Sequence, residues 1–148
     1  MRAGSPVARL AGMDLDTARD FVREHHRAIL STMRDDGTPQ MSPVMVAVDA
    51  AGRLTVSTRE TSLKTRNLRK RPNAWLCAIN DGFFGAWIQL SGDVEVLSLP
   101  EALEPLVDYY RSLSGEHEDW DDYRSAMVRD QRCLIRITPT RAGPDIEG

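Results

Sequence analysis

Between Thr55 and Arg71 the chain reads T-V-S-T-R-E-T-S-L-K-T-R-N-L-R-K-R, a run that concentrates groups able to hold a phosphate. Thr55–Thr58 have the composition of a strand end. Ser62 is placed to cap a short helix over Leu63–Arg71, which Pro72 stops. A strand that turns into a helix start leaves main-chain N–H groups unpaired, and the helix dipole adds positive potential. Arg59 and Lys64 flank the turn, and the hydroxyls of Ser57, Thr58, Thr61, Ser62 and Thr65 lie close by in sequence. Free amides, one or two cations and short hydroxyls are what an anion site requires. Arg66, Arg69, Lys70 and Arg71 also suit the solvated face of a short helix. Yet this run carries six cations and one acid, Glu60, in a chain of net charge −3. A local basic patch on an acidic protein favours a specific anionic ligand over nucleic acid.

The elements that must position this turn follow from periodicity. Asp14 caps a first helix whose stripe is Leu15, Ala18, Phe21 and Val22, and which His25 and His26 end. Strands are expected at Ala28–Arg34 and Gln40–Asp49, joined by the turn Asp35-Asp36-Gly37. The turn Ala50-Ala51-Gly52 leads into a third at Leu54–Thr58, making a β-meander. Ala74–Asn80 is apolar on both faces, as in a closed barrel or a subunit interface. From Ala86 to Val96 alternation is strict, with Ala86, Ile88, Leu90, Val94 and Val96 on one face. Trp87 is the large aromatic on the polar face, read either as a packing residue beside a helix or as an interface or ring-stacking residue.

Ser98-Leu99-Pro100-Glu101 has the form of a capping box opening a helix lined by Leu103, Leu106, Val107, Tyr110 and Leu113. The acids of Glu116–Asp122, around His117 and Trp120, fit no standard metal-ligand spacing and suit the start of a helix over Tyr123–Arg129. Cys133–Thr138 is the last strand. Six strands with few helices indicate a small β-barrel.

The bulk numbers set limits. A chain of 148 residues, 41% hydrophobic and 28% charged, is one ordinary folded domain, small for enclosing a large ligand alone. The expected organisation is a loose tail over residues 1–12, one domain over 13–140 and a second tail over 141–148. No stretch approaches the ~20 apolar residues of a membrane span. Met1–Gly12 lacks a continuous apolar leader, and Cys77 and Cys133 form no C-x-x-C pair. Buried thiols in a cytoplasmic protein are the expectation. No Ser-His-Asp set, paired carboxylates or metal site stands out.

Three blocks carry a family likeness: G-T-P-Q-M-S-P-V at Gly37–Val44, S-L-K-T-R-N-L-R-K-R-P at Ser62–Pro72, and G-E-H-E-D-W-D-D-Y-R-S-A-M-V-R-D at Gly115–Asp130. With these, the chain from about Leu15 to Thr140 resembles the split β-barrel family of pyridoxamine 5′-phosphate oxidases. It is most similar to the actinobacterial branch that uses the deazaflavin coenzyme F420. The resemblance implies a homodimer with two cofactors at the seam. Lys64 is similar to the lysine that grips the cofactor phosphate, with Thr58, Arg59, Ser62, Thr65 and Asn67 beside it. Gln40, Met41, Ser42 and Pro43 resemble the strand under the tricyclic ring, against which Ser57 and Thr58 also end. Ile79, Asn80 and Trp87 look like the contribution of the second subunit.

F420 differs from FMN in an anionic tail of lactate and glutamates. A monophosphate needs one or two cations, so Arg66, Arg69, Lys70 and Arg71 are read as the tail's partners, which favours F420 over FMN. The implied activity is hydride transfer between the reduced cofactor and a small electron-poor organic substrate, the protein supplying binding and orientation. The alternatives are an FMN-dependent oxidoreductase of the pyridoxamine-phosphate-oxidase type and a non-catalytic F420 carrier. Tyr123, Arg124 and Arg129 are candidate proton donors or anchors, alongside solvent.

Overall fold

In the computed structural model, which describes residues 13–143, the Asp14 carboxylate accepts the Thr17 N–H at 3.2 Å and starts helix α1, Leu15–Glu24. Its stripe packs as the spacing predicts, with Ala18 and Val22 fully buried and Leu15 and Phe21 against the same core. Strand β1, Arg27–Met33, turns at Gly37 (φ +87°) into β2, Pro39–Met45. Asp36 accepts both the N–H and the hydroxyl of Thr38 to hold the turn. The two strands pair antiparallel, Ile29 opposite Pro43.

The expected single strand over Gln40–Asp49 is divided at Val46. Its side chain is wholly buried and its N–H still donates to His26 O at 2.8 Å. The next two residues, β3 (Ala47–Val48), pair instead with β4 (Leu54–Arg59). The completed sheet has seven antiparallel strands in the order β2-β1-β5-β6-β7-β4-β3, with β5 at Asn73–Ile79, β6 at Trp87–Leu97 and β7 at Arg132–Ala142. Strands β2 and β3, one residue apart in the chain, therefore occupy opposite edges, which forces the sheet to curl. The meander is not formed: β4 pairs with β7 and β3, never with β2. The count rises from six strands to seven because Val46 hands the chain from one edge to the other. The interior fills with Leu30, Leu54, Leu76, Leu90, Ile135 and Ile137.

Helix α2, Leu63–Lys70, runs as expected from a Ser62 cap whose oxygen accepts the Thr65 N–H at 3.3 Å. The Ser98 capping box does not form. Helix α3, Leu103–Ser114, begins after a turn with no side-chain cap, because the Ser98 hydroxyl accepts instead from Arg69 at 2.8 Å. Helix α4, Trp120–Arg129, starts earlier than Tyr123, capped by Asp119, which accepts from Asp122 N–H at 3.1 Å. Both helices lie over Leu134 on the outer face of the sheet, forming a second small core with Ala102, Leu106, Val107 and Tyr123.

Strand β5 is buried on one face only. Ala74, Leu76 and Ala78 point inward, whereas Trp75 is 36% exposed and Cys77 and Ile79 are half-buried on the outside. Of the two thiols only Cys133 is buried. Strand β6 alternates as predicted from Ile88 onward, although Ala86 precedes the strand and is exposed; a bulge lies at Ser91/Gly92, where a Cβ on Gly92 would run into the Thr138 carbonyl. Strand β7 outruns the expected Cys133–Thr138 and takes in Arg141 and Ala142. The expected tail over residues 1–12, and residues 144–148, lie outside the described residues. Among the described residues no helix is long and apolar enough to cross a membrane.

Candidate cofactor site

The gap between β2 and β4 is where the sheet is split. Pro39 and Pro43 carry no N–H, so β2 bonds β1 through its even-numbered residues, and the main chain of the odd ones faces the gap. The Val46 N–H on His26 O agrees with this parity. So do two side chains that reach the open side: Arg34 donates to Pro39 O and Tyr109 to Met45 O, at 2.9 and 2.8 Å. The Tyr109 hydroxyl therefore takes up one of the open carbonyls of the β2 edge. Burial pushes this phenol up.

Behind it opens a cleft of about 410 Å3 lined by Pro43, Met45, Ser57, Thr58, Lys64 and Arg132, with Tyr110, Tyr123 and Met127 contributed by α3 and α4. The structure thus brings together the β2 edge, the end of β4 and the lysine of α2. The hydroxyls at the turn are mostly engaged with one another. Thr58 donates to Ser62 at 3.1 Å, Ser62 and Thr65 share a bond of 2.7 Å, and Thr65 reaches Arg59 O at 2.8 Å. Thr65 is fully buried and braces strand to helix. Lys64 is half-buried, and its amine makes no hydrogen bond or ion pair among the described residues; Arg59 is exposed beside it.

Arg132 opens β7, where the sequence reading began at Cys133. Its Nε is shielded from water and has no hydrogen-bond partner among the described residues. An unpaired guanidinium N–H beside a free lysine is an unmet demand for an anion. Arg132, Leu134 and Arg136 alternate outward along β7, a period-2 pattern that marks Arg132 once the strand's start is known. Helical spacing does not distinguish a cleft wall from core, so Tyr109 and Met127 carry no signal in the sequence and Tyr110 reads as part of the inner helix face.

Other predicted residues fall into three groups. Asn67 is buried and donates to Thr32 at 3.1 Å, and Thr32 donates onward to Gln40 Oε1 at 3.4 Å, tying α2 to β2. Met41 is 62% exposed, and the shielded Ser42 hydroxyl has no partner among the described residues. Ile79, Asn80 and Trp87 do not line the cleft of this single chain. Ile79 pairs with Trp87 across the β5–β6 hairpin. The Asn80 amide is engaged in its turn, accepting from Gly82 N–H and donating to Phe84 O.

The basic run is less surplus than the sequence implies. Arg69 meets Glu60 at 2.6 Å, while Lys70 and Arg71 share Asp35 at 3.2 and 2.8 Å. These hydrogen bonds, Arg71 first and then Lys70, hold the Asp35 carboxyl below its ordinary range. Arg66 alone of the four expected tail cations has no acidic partner among the described residues. It borders a hollow of about 290 Å3 with Leu63, Asn67 and Lys70.

The proposed proton donors are otherwise occupied. Tyr123 donates to Leu106 O at 2.9 Å, and burial pushes its phenol up to about 12. Arg124 grips Glu104 with two bonds of 2.9 and 3.0 Å, and neither it nor Arg129 lines the cleft.

The profile of the pyridoxamine 5′-phosphate oxidase family matches residues 15–143. Among solved structures, a conserved hypothetical protein from Mycobacterium tuberculosis is similar at 24% identity and TM-score 0.71, covering 90% of this chain and 84% of that one. An F420 reductase aligns at 21% identity and TM-score 0.65, over 84% and 94% of the two chains. A pyridoxamine 5′-phosphate oxidase homologue from Listeria innocua aligns at 16% identity and TM-score 0.63, over 87% and 95%. At these identities the likeness is one of fold.

Proposed function

The chain belongs to the pyridoxamine 5′-phosphate oxidase family, a family of flavin-type cofactor binders with an oxidoreductase role, and we propose that it is an F420-dependent oxidoreductase. The observation that carries this reading is the pairing of two unpartnered cations, Lys64 and Arg132, in one cleft with an unpaired β-strand edge. Lys64 and Arg132 would hold the cofactor phosphate. The open main chain of β2, with Ser42 and Pro43, would meet the polar rim of the ring, and Tyr110 and Met127 would wall the cleft against water. When bound, the cofactor supplies a two-electron hydride carrier for a small electron-poor substrate. Tyr110 is the cleft tyrosine whose hydroxyl makes no hydrogen bond among the described residues. It is therefore better placed than Tyr123 to hand a proton to bound substrate.

The second copy of the chain completes the site in this reading. Met41, Pro43, Ile29, Trp75 and Cys77 make an apolar outer face. Burying it against a second copy brings that copy's Ile79, Asn80 and Trp87 to the seam. The FMN-dependent reading has its own support: with Arg69, Lys70 and Arg71 paired internally, Arg66 is left as the main cation for an anionic tail.

Equilibrium binding of F420 and of FMN, followed by ring fluorescence at two salt concentrations, tests the reading. Salt-sensitive F420 binding at least tenfold tighter than FMN, and lost in Lys64→Ala, is the expected result. Preference for FMN would move the oxidase reading to first place. Binding unaffected by Lys64→Ala would remove the cleft from the argument.

A further inference from the structure

Helix α3 leaves a second hollow on the outer face of β4 and β7, on the far side of Tyr109 from the cofactor cleft. It measures about 470 Å3, inside the roughly 300–1,000 Å3 range of small-molecule sites. Its floor is Thr55 opposite Arg136, with Arg53 preceding β4 on the same face. The β3–β4 turn supplies Val48 and Ala51 as a side wall, and α3 supplies Pro105, Tyr109 and Ser112 above. Leu134 and the Tyr109 ring separate the two clefts.

The charges here are paired, but not all of the guanidinium donors are used. Asp49 and Asp108 are already paired with Arg53 and Arg111 at 2.8 and 3.4 Å. Arg136 is only 17% exposed, and its shielded Nε has no hydrogen-bond partner among the described residues. The nearest carboxylate, Glu95, lies 3.3 Å away without hydrogen-bond geometry and is itself largely in solvent. The terminal nitrogens of Arg53 likewise make no hydrogen bond among the described residues, its Nε being the atom on Asp49. Two neighbouring guanidinium groups with unused donors, set beneath apolar walls, match a planar carboxylate on an apolar body.

We infer that this hollow binds a small organic carboxylate, its head between Arg53 and Arg136 and its body against Tyr109 and Leu134. The site is independent of the cofactor reading and shares no cation with it. Calorimetric titration with 1-naphthoate, and with neutral 1-naphthamide of nearly the same shape, tests it on the full chain. The acid binds at one site at least tenfold tighter than the amide. Arg136→Gln brings the acid down to the level of the amide. Ser112→Trp, which fills the hollow from an exposed helix position, weakens both at least tenfold. Equal binding of acid and amide to the wild type, or acid binding undiminished in Ser112→Trp, overturns the inference. If Arg136→Gln fails to fold in a thermal melt, the Ser112→Trp titration decides alone.

Discussion

Arg132 shows how a single side chain separates binding from stability. Its shielded Nε has no hydrogen-bond partner among the described residues, so that donor adds nothing to their packing, whereas a bound anion would satisfy it. Arg132→Gln is therefore expected to leave the melting temperature unchanged or raised while weakening cofactor binding at least tenfold. Thermal denaturation beside fluorescence titration checks this, and a parallel loss of both would make Arg132 a structural residue. Sequence reading found Ser62 and Lys64 because an N-cap and a cation beside it are local features. It could not find Arg132 or Tyr109, whose roles depend on strands and helices distant in the chain meeting at one cleft.

At the scale of elements, helix α2 is held at both ends by contacts of different legibility. The Ser62 cap was readable from the sequence; the clasp of Lys70 and Arg71 on Asp35, in the β1–β2 turn, was not. The Asp35 carboxyl is held below its ordinary 3.8 in the fold, so its contribution is present above that value and fades as pH falls through the lowered folded value. Asp35→Asn should melt below the wild type at pH 6, the gap closing progressively under pH 4. A gap independent of pH would show that the charge plays no part. The Ser98 box misled for the opposite reason: a good local motif lost its hydroxyl to Arg69, which only the fold brings near. The hand-over at Val46 was invisible because alternation continues smoothly through it.

For the molecule as a whole, the apolar residues on both faces of β5 are legible in the sequence, but only one face is buried and the other is an open outer surface. Ile29, Met41 and Trp75 are exposed on it at 36%, 62% and 36%. Contiguous apolar surface of this kind marks an association site. Trp75→Glu is expected to turn a dimer into a monomer in sedimentation velocity, with the fold retained by circular dichroism. A wild-type monomer would deny the seam on which the placement of Ile79, Asn80 and Trp87 depends. The same change should weaken cofactor binding if that seam completes the site.

Strand β2 ends the sheet with one side unpaired, and an unpaired edge is a template for strands from other molecules. Of the odd-numbered residues that face outward along it, Pro39 and Pro43 have no N–H to offer, and the carbonyls of Pro39 and Met45 are already occupied by Arg34 and Tyr109. An incoming strand would find donors only at Met41 and Met45, too few to extend a ladder. The prolines and side chains that hold this edge open thus also make it a poor template for a further strand.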